Sequence, residues 1–321
     1  MMEAKILEVK ETIGINKPFL HNSKAFKRNN TSTIEIDSYE LTRLVLEGKN
    51  MNYEELPSDQ QEMTFNYLER KLKDLINIDT FNQDTLKILN LYNKNTGYNN
   101  AAYILSDNNS LISVDITKFG ENINIIQKRL ILNNMSILEI YDLTMEVFRD
   151  YYQYEKIEGS YRKKVELIPE KAFSKLIAIT LIYRKWNVND QIRISMFDDR
   201  ILISSPGLMD GISEEEYLSG RISMLRNPII SNVFYRLGIV EIFGTGIRRI
   251  IQSYENSIKK PLFNVSDNTI QITLPVINSN YKLDKDEKLI YDMLSKIIYK
   301  SMNDKGIVHI KGKGRGTKYK I

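Results

Sequence analysis

The sequence has no cysteine and only two histidines, His21 and His309, among its 321 residues. Without thiols the chain cannot form a disulfide framework, a thiolate zinc site or a cysteine nucleophile, and two imidazoles are few for metal catalysis. We therefore expect no metal site, and we expect a protein of the reducing cytoplasm.

Long apolar segments are also lacking. The chain has no run of 18 apolar residues that could span a bilayer, and Glu3, Glu8 and Glu11 interrupt the apolar positions at its start. This pattern predicts neither a transmembrane helix nor a signal peptide, and hence no membrane partner. The composition, 42% hydrophobic and 27% charged, is typical of a folded globular protein, and the length predicts two or three domains.

The chain has little excess of either charge except at its end. The formal net charge is only +4. Residues 300–321 hold seven Lys or Arg residues and a single acid, Asp304, so this tail carries +6 and the remainder of the chain −2. A basic tail of this kind favours a nucleic-acid partner.

Apolar periodicity and turn residues predict most of the secondary structure. Gly48 should end the first helix, which Ser38 begins with N-cap chemistry. In the first half the pattern predicts a strand at 4–11, a hairpin at 24–37, a helix at 38–48, a helix from 58 or 59 to 76, a hairpin of strands 101–105 and 111–116, and a helix at 137–154 followed by a charged linker at 155–164. In the second half it predicts a helix at 170–186, strands at 191–197 and 200–205, a Pro-Gly loop with a short helix, helices from 228 and over 240–254, and a strand at 269–275.

Three ordered segments, residues 197–207, 226–228 and 237–247, resemble one bacterial family. Its members join a Schlafen-type AlbA-like DNA-binding domain to a GHKL-type ATPase-like, RecG-like C-terminal domain and include transcriptional regulators. The resemblance implies an α+β fold. It predicts a partial AlbA-like domain with a trailing helix at 1–80, a GHKL-like α/β sandwich at 81–277 with its core at 165–277, and a remnant winged helix in the basic tail at 283–321.

Glycines next to a helix start suggest a phosphate-binding turn. Such a turn offers free backbone N–H groups and the positive end of the helix dipole. A structural turn that merely packs tightly is the alternative. The candidate nucleotide-binding residues are Gly207, Gly211, Gly244, Thr245 and Gly246.

The helix that the resemblance assigns to catalysis corresponds to residues 172–184. Lys175 stands where family members carry a glutamate, Ile179 where they carry a metal-binding asparagine, and Tyr183 where they carry a histidine. The resemblance therefore implies that this chain has no catalytic residue and no metal, with ATP as the one cofactor to test. A Lys175 side chain that neutralises a triphosphate in place of Mg²⁺ is an alternative, as is a lysine that is simply solvated.

Two basic clusters are candidates for DNA contact. The first lies on the N-terminal hairpin beside Phe26 and the second in the glycine-rich tail, where a β-wing could approach a phosphate backbone. A solvated terminus is the alternative for the tail. The candidate DNA-binding residues are Lys27, Arg28, Lys311, Lys313, Arg315 and Lys318.

These features predict a DNA-binding transcriptional regulator whose GHKL-like pocket lacks ATP hydrolysis. One alternative is an active ATPase of RecG-like type that recruits Glu241 or Asp199 for catalysis. Another is a protein-interaction remnant without catalysis. The chain has no GxxxxGK[ST] phosphate loop that would support a helicase, and the sequence leaves a homo-oligomer open.

Overall fold

The computed structural model describes residues 20–22, 24–29, 31–49, 51–188, 190–206, 226–241, 245–266, 269–277, 293, 309–311 and 318–320. The strand predicted at 4–11 lies outside this set. The helices described are α1 (Ser38–Lys49), α2 (Asn66–Ile76), α3 (Gln83–Ile88), α4 (Asn100–Leu105), α5 (Ile137–Tyr152), α6 (Glu170–Ile182), α7 (Pro228–Arg236) and α8 (Gly246–Ser253), with a 3-10 turn at Tyr53–Glu55.

The strands form one large sheet and four hairpins. The hairpins pair β1 (Phe26–Asn29) with β2 (Ser32–Glu35), β3 (Tyr92–Asn93) with β4 (Gly97–Tyr98), β7 (Gln153–Glu158) with β8 (Tyr161–Glu166), and β13 (His309–Lys311) with β14 (Lys318–Lys320). The sheet contains β5 (Ser113–Phe119), β6 (Ile126–Asn133), β9 (Ile192–Met196), β10 (Arg200–Pro206), β11 (Leu262–Val265) and β12 (Thr269–Pro275).

The large sheet is mixed, with the order β11-β12-β10-β9-β5-β6. Strands β5 and β9 are parallel, and every other neighbouring pair is antiparallel. A row of aligned apolar residues crosses all six strands on one face of the sheet. This face has to be covered by helices. In sheet order from the β6 edge this row is Leu130, Ile116, Ile194, Ile203, Ile272 and Phe263.

Helices α5 and α6 bury their apolar sides in the same core. Phe148 of α5 stacks on Phe173 of α6 with ring centroids 4.2 Å apart, and both side chains are fully buried. The core is continuous from Phe65 to Leu274, so α2 contributes Leu68 and Leu72 to it. The sheet draws strands from residue 113 onward, which lies before the core predicted at 165–277. These findings confirm a mixed α/β fold with a large sheet.

The segment 101–105 is a buried helix, so its prediction as a strand was wrong. Short apolar runs fit a buried strand or a buried helix equally well. Here the Asn99 side chain accepts a hydrogen bond from the Ala102 N–H at 3.0 Å and starts α4. The predicted partner strand exists as β5, but it pairs with β6 and β9 instead.

The prediction of a linker at 155–164 was also wrong, since these residues form most of the β7–β8 hairpin. Their charged side chains suggested a linker, but the two strands pair in antiparallel register from Gln153↔Glu166 to Glu158↔Tyr161. The turn contains Gly159 at φ +65°, a left-handed conformation that glycine adopts without strain.

Carboxylates from elsewhere in the chain fix two helix starts. The Asp107 carboxylate accepts hydrogen bonds from the Asn66 and Tyr67 N–H groups at 2.8 and 3.0 Å, so α2 begins at residue 66 and not at 58 or 59 as predicted. The buried Glu54 carboxylate accepts from the Ile229 and Ile230 N–H groups, at 2.5 and 3.0 Å, at the start of α7. Both carboxylates satisfy backbone donors that a helix N-terminus leaves unpaired.

No helix within the described ranges is both long and apolar enough to cross a membrane.

Candidate functional site

The candidate site lies where α6 meets α8, and its central contact joins Ile179 to Gly246. A Cβ atom placed on Gly246 would lie 2.4 Å from Ile179 Cδ1 and 3.2 Å from Cγ1. The isoleucine side chain therefore fills the space that the glycine leaves open. The resemblance places Ile179 at a metal-ligand position and Gly246 in a phosphate-binding turn. In this structure the two residues pack against each other.

Lys175 lies one helical turn earlier on α6 and points at backbone. Its Nζ donates to the Ile239 carbonyl oxygen at 2.7 Å. Partial burial lowers the pKa of Lys175, while the charge of Glu241 raises it and that of Arg249 lowers it. The ammonium is therefore engaged with the segment that precedes α8 and is not a freely solvated lysine.

Glu241 and Arg249 complete the polar border of this contact. The Arg249 guanidinium bonds the Glu241 carboxylate, and its Nε lies 3.4 Å from Thr245 Oγ1. Thr245 precedes α8 without a side-chain capping bond. Asp199, the other carboxylate considered for catalysis, bonds its neighbour Arg200 at 2.8 Å on the surface.

The C-terminal end of α6 is tied to the start of α7. Asn227 Nδ2 donates to the carbonyls of Ile182 and Arg184, at 2.6 and 3.0 Å. The Tyr183 carbonyl accepts from Arg226 Nη1 at 2.9 Å. The segment at 226–228 was recognisable in the sequence, but only the structure shows that its polar side chains close the end of α6.

Arg184 is a structural residue. Its side chain is 1% exposed, lies over the Trp186 ring and donates to the carbonyls of Leu111, Val188 and Asp190. Burial lowers the pKa of this guanidinium to about 10, and the charge of Asp190 opposes that shift. Such a residue was missed in the sequence because its partners are backbone carbonyls, which leave no side-chain signature.

Of the five predicted nucleotide-binding residues, the structure describes Thr245 and Gly246, and it places Gly246 against Ile179 of α6. Gly207, Gly211 and Gly244 lie outside the described residues. Within the described ranges there is no cluster of three or more histidine, aspartate and glutamate side chains that could hold a metal ion.

The predicted DNA-binding residues that the structure describes lie on two hairpins, β1–β2 and β13–β14. Lys27 Nζ lies 2.6 Å from Glu40, and Arg28 Nη1 donates to Thr33 Oγ1 at 3.1 Å, beside a Phe26 side chain that is 46% exposed. Lys311 and Lys318 are directly opposite each other in the β13–β14 register. Lys313 and Arg315 lie outside the residues that the structure describes.

Residues 189–274 match the family model described as putative ATP-dependent DNA helicase recG C-terminal. The matched segment contains β9 to α8 and most of β12, so it includes Thr245 and Gly246 and begins after α6. This part of the chain is therefore similar to the GHKL-type, ATPase-like domain of RecG-like proteins, as its motifs predicted.

The fold is similar to the crystal structure of the DIP2311 protein from Corynebacterium diphtheriae. The TM-score is 0.62 at 17% sequence identity, and the match covers 80% of this chain and 54% of that one. This likeness shows a shared fold, and the chain spans about half the length of that protein. No curated protein matches the sequence.

Proposed function

We propose that this protein is a DNA-binding regulator whose GHKL-type domain works without hydrolysing ATP. One observation carries the second half of this proposal: Ile179 occupies the implied metal-ligand position and fills the space in front of Gly246. Hydrolysis needs a carboxylate that activates water and oxygen ligands for Mg²⁺. At the two implied positions, Lys175 supplies an ammonium group and Ile179 an apolar alkyl side chain.

The regulator half of the proposal rests on charge. The tail carries +6, and two strands of that tail pair as a hairpin with Lys311 opposite Lys318. A basic segment of this kind attracts phosphate, and the counterions that it releases make the affinity depend on salt. Salt-dependent binding to duplex DNA is the behaviour this arrangement supports.

The test measures ATP-analogue binding and phosphate release on one purified sample, with and without Mg²⁺, and duplex DNA binding across salt concentrations. We expect no phosphate release above background and a DNA affinity that falls steeply with salt. Mg²⁺-dependent release that Glu241→Gln abolishes, while the exposed control Glu62→Gln retains it, would overturn the proposal in favour of an active ATPase.

A protein-interaction function is the second candidate, and one observation favours it. The cations of the N-terminal hairpin already have partners: Lys24 lies 2.8 Å from Glu35 and Lys27 lies 2.6 Å from Glu40. Phosphate contact would have to compete with these carboxylates. Failure to bind duplex DNA even at low salt is the result that would select this candidate.

A further inference from the structure

The β7–β8 hairpin stands out because almost all of its side chains are exposed. Its strands pair at six consecutive positions, from Gln153↔Glu166 to Glu158↔Tyr161. Ile157 is 73% exposed and Tyr161 is 81% exposed. A two-stranded hairpin without further support is only marginally stable in water, so this one depends on the contacts at its base.

The base of the hairpin is fixed to α6 through Glu170. Lys164 Nζ and Gln153 Nε2 donate to its Oε2 at 3.0 and 2.8 Å, and Arg149 of α5 donates to Oε1 at 2.7 Å. The Leu167 N–H adds a bond to the Tyr152 carbonyl at 2.8 Å. The hairpin is thus held at one end while its turn extends away from the core.

The extended half of the hairpin is basic. Residues 156–163 lie on the turn side of the Glu155↔Lys164 pair and contain the cations Lys156, Arg162 and Lys163 and the single acid Glu158, a net charge of +2. Arg162 Nη1 also lies 3.4 Å from the Glu155 carboxylate. Lys156 and Lys163 are directly opposite each other, and Glu158 lies 3.2 and 3.8 Å from their ammonium groups. One carboxylate shared by two facing lysines leaves positive charge that a further anion would offset.

The dimensions of the hairpin suit a nucleic-acid groove. Six residues per strand at about 3.3 Å each give a ribbon about 20 Å long. The major groove of B-form DNA is about 12 Å wide and admits a two-stranded ribbon. Ser160 and Tyr161 at the turn add hydroxyl groups, which commonly contact phosphate and base edges.

We propose that the β7–β8 hairpin is a DNA-binding ribbon that places Lys156, Arg162 and Lys163 against the phosphates of duplex DNA. This inference rests on the proposed DNA-binding function and gives it a contact surface separate from both basic clusters noted in the sequence. The three cations act as non-specific phosphate contacts, so they set affinity and salt dependence more than sequence preference.

The test variant combines Lys156→Gln, Arg162→Gln and Lys163→Gln in the full chain. All three side chains are at least half exposed, so the substitutions leave the core intact. We expect the affinity for a mixed-sequence duplex to fall at least ~10-fold at low salt. The slope of log K against log salt should become shallower by about 1 for each phosphate that the variant no longer neutralises.

The matched control removes the same charge from another surface through Lys73→Gln, Lys87→Gln and Lys94→Gln, on and near α2 and α3. It should bind with wild-type affinity and slope. If both triple variants weaken binding equally, only net charge matters and the hairpin contact is overturned.

Three further outcomes separate the two proposals. Wild-type protein that binds duplex DNA, with a hairpin variant of equal affinity and slope, overturns the hairpin contact and leaves the proposed function standing. Wild-type protein that fails to bind at low salt overturns the proposed function itself. A hairpin variant that loses DNA binding together with a change of oligomeric state, seen by analytical ultracentrifugation, reassigns the hairpin to a protein interface.

Discussion

Helix α6 joins two regions of opposite character. Its C-terminal half belongs to a packed region, where Ile179 meets Gly246 and Asn227 closes the helix end. Its N-terminal residue, Glu170, instead holds the base of an exposed, charged hairpin. At the implied catalytic positions, Ile179 packs against Gly246 and Lys175 donates to a backbone carbonyl, whereas the hairpin exposes its charged side chains.

The pKa values of two carboxylates at helix starts, Glu54 and Glu170, differ between these two regions. Burial raises the pKa of Glu54 to about 7, although the N–H groups of Ile229 and Ile230 oppose the shift. Partial burial would also raise the pKa of Glu170, but hydrogen bonds from Gln153, Lys164 and Arg149 outweigh it and lower the pKa to about 2. The packed region thus penalises charge, and the hairpin region stabilises it.

Of the substitutions considered, Glu54→Gln should change the free energy of unfolding most, through its dependence on pH. Since the folded pKa lies above the usual value of 4.5, the native state holds a proton between pH 4.5 and about 7 that the unfolded chain releases. The stability from Glu54 is therefore complete below pH 4.5 and is lost as pH rises through about 7, a change of about 3 kcal/mol.

Denaturant unfolding of wild type and Glu54→Gln from pH 5 to 8 measures this difference. The variant should lack the decline that wild type shows, while the exposed control Glu62→Gln should keep it. Parallel stability curves for wild type and Glu54→Gln would mean that the carboxylate is solvated, which would contradict the packed character of this region.

Gly246→Ala tests the packed contact directly. The added methyl group would lie 2.4 Å from Ile179 Cδ1, and overpacking of this kind costs about 1–3 kcal/mol. Ile179→Val removes that terminal methyl group at a cost of about 1 kcal/mol by itself. The double variant should be more stable than the sum of the single costs predicts, and strict additivity in this double-mutant cycle would show that the two side chains do not compete for space.

The sequence predicted the parts of this fold that carry strong local patterns. The bounds of β12 agree with the prediction, and α5 and α1 fall within two residues of it. The substitutions at Lys175 and Ile179 were visible, but their contacts with Ile239 and Gly246 were not, because nothing local relates residues more than 60 positions apart. Strands β6 and β11 were missed: β6 is an edge strand that exposes most side chains, and β11 has only four residues.

Glu170→Gln should have a smaller effect with the opposite dependence on pH. A folded pKa below the unfolded value stabilises the protein above pH 4.5, and this stability is lost as pH falls towards 2. Because solvent screens part of the interaction, we expect the variant to lose about 1 kcal/mol at pH 7. Unfolding at pH 7 and pH 3 should show wild type and variant converging at the lower pH, and an unchanged difference at both values would mean that packing, not charge, explains the loss.

The smallest effect on stability should come from the hairpin triple variant, Lys156→Gln, Arg162→Gln and Lys163→Gln. Its exposed ion pairs, at 3.2 to 3.8 Å, contribute little each, and removing the facing lysine pair also relieves repulsion. We expect the free energy of unfolding to change by less than about 0.5 kcal/mol. If unfolding instead shows a loss as large as that of Gly246→Ala, these cations support the fold. The hairpin would then belong with the packed region, and the contrast between the two ends of α6 would not hold.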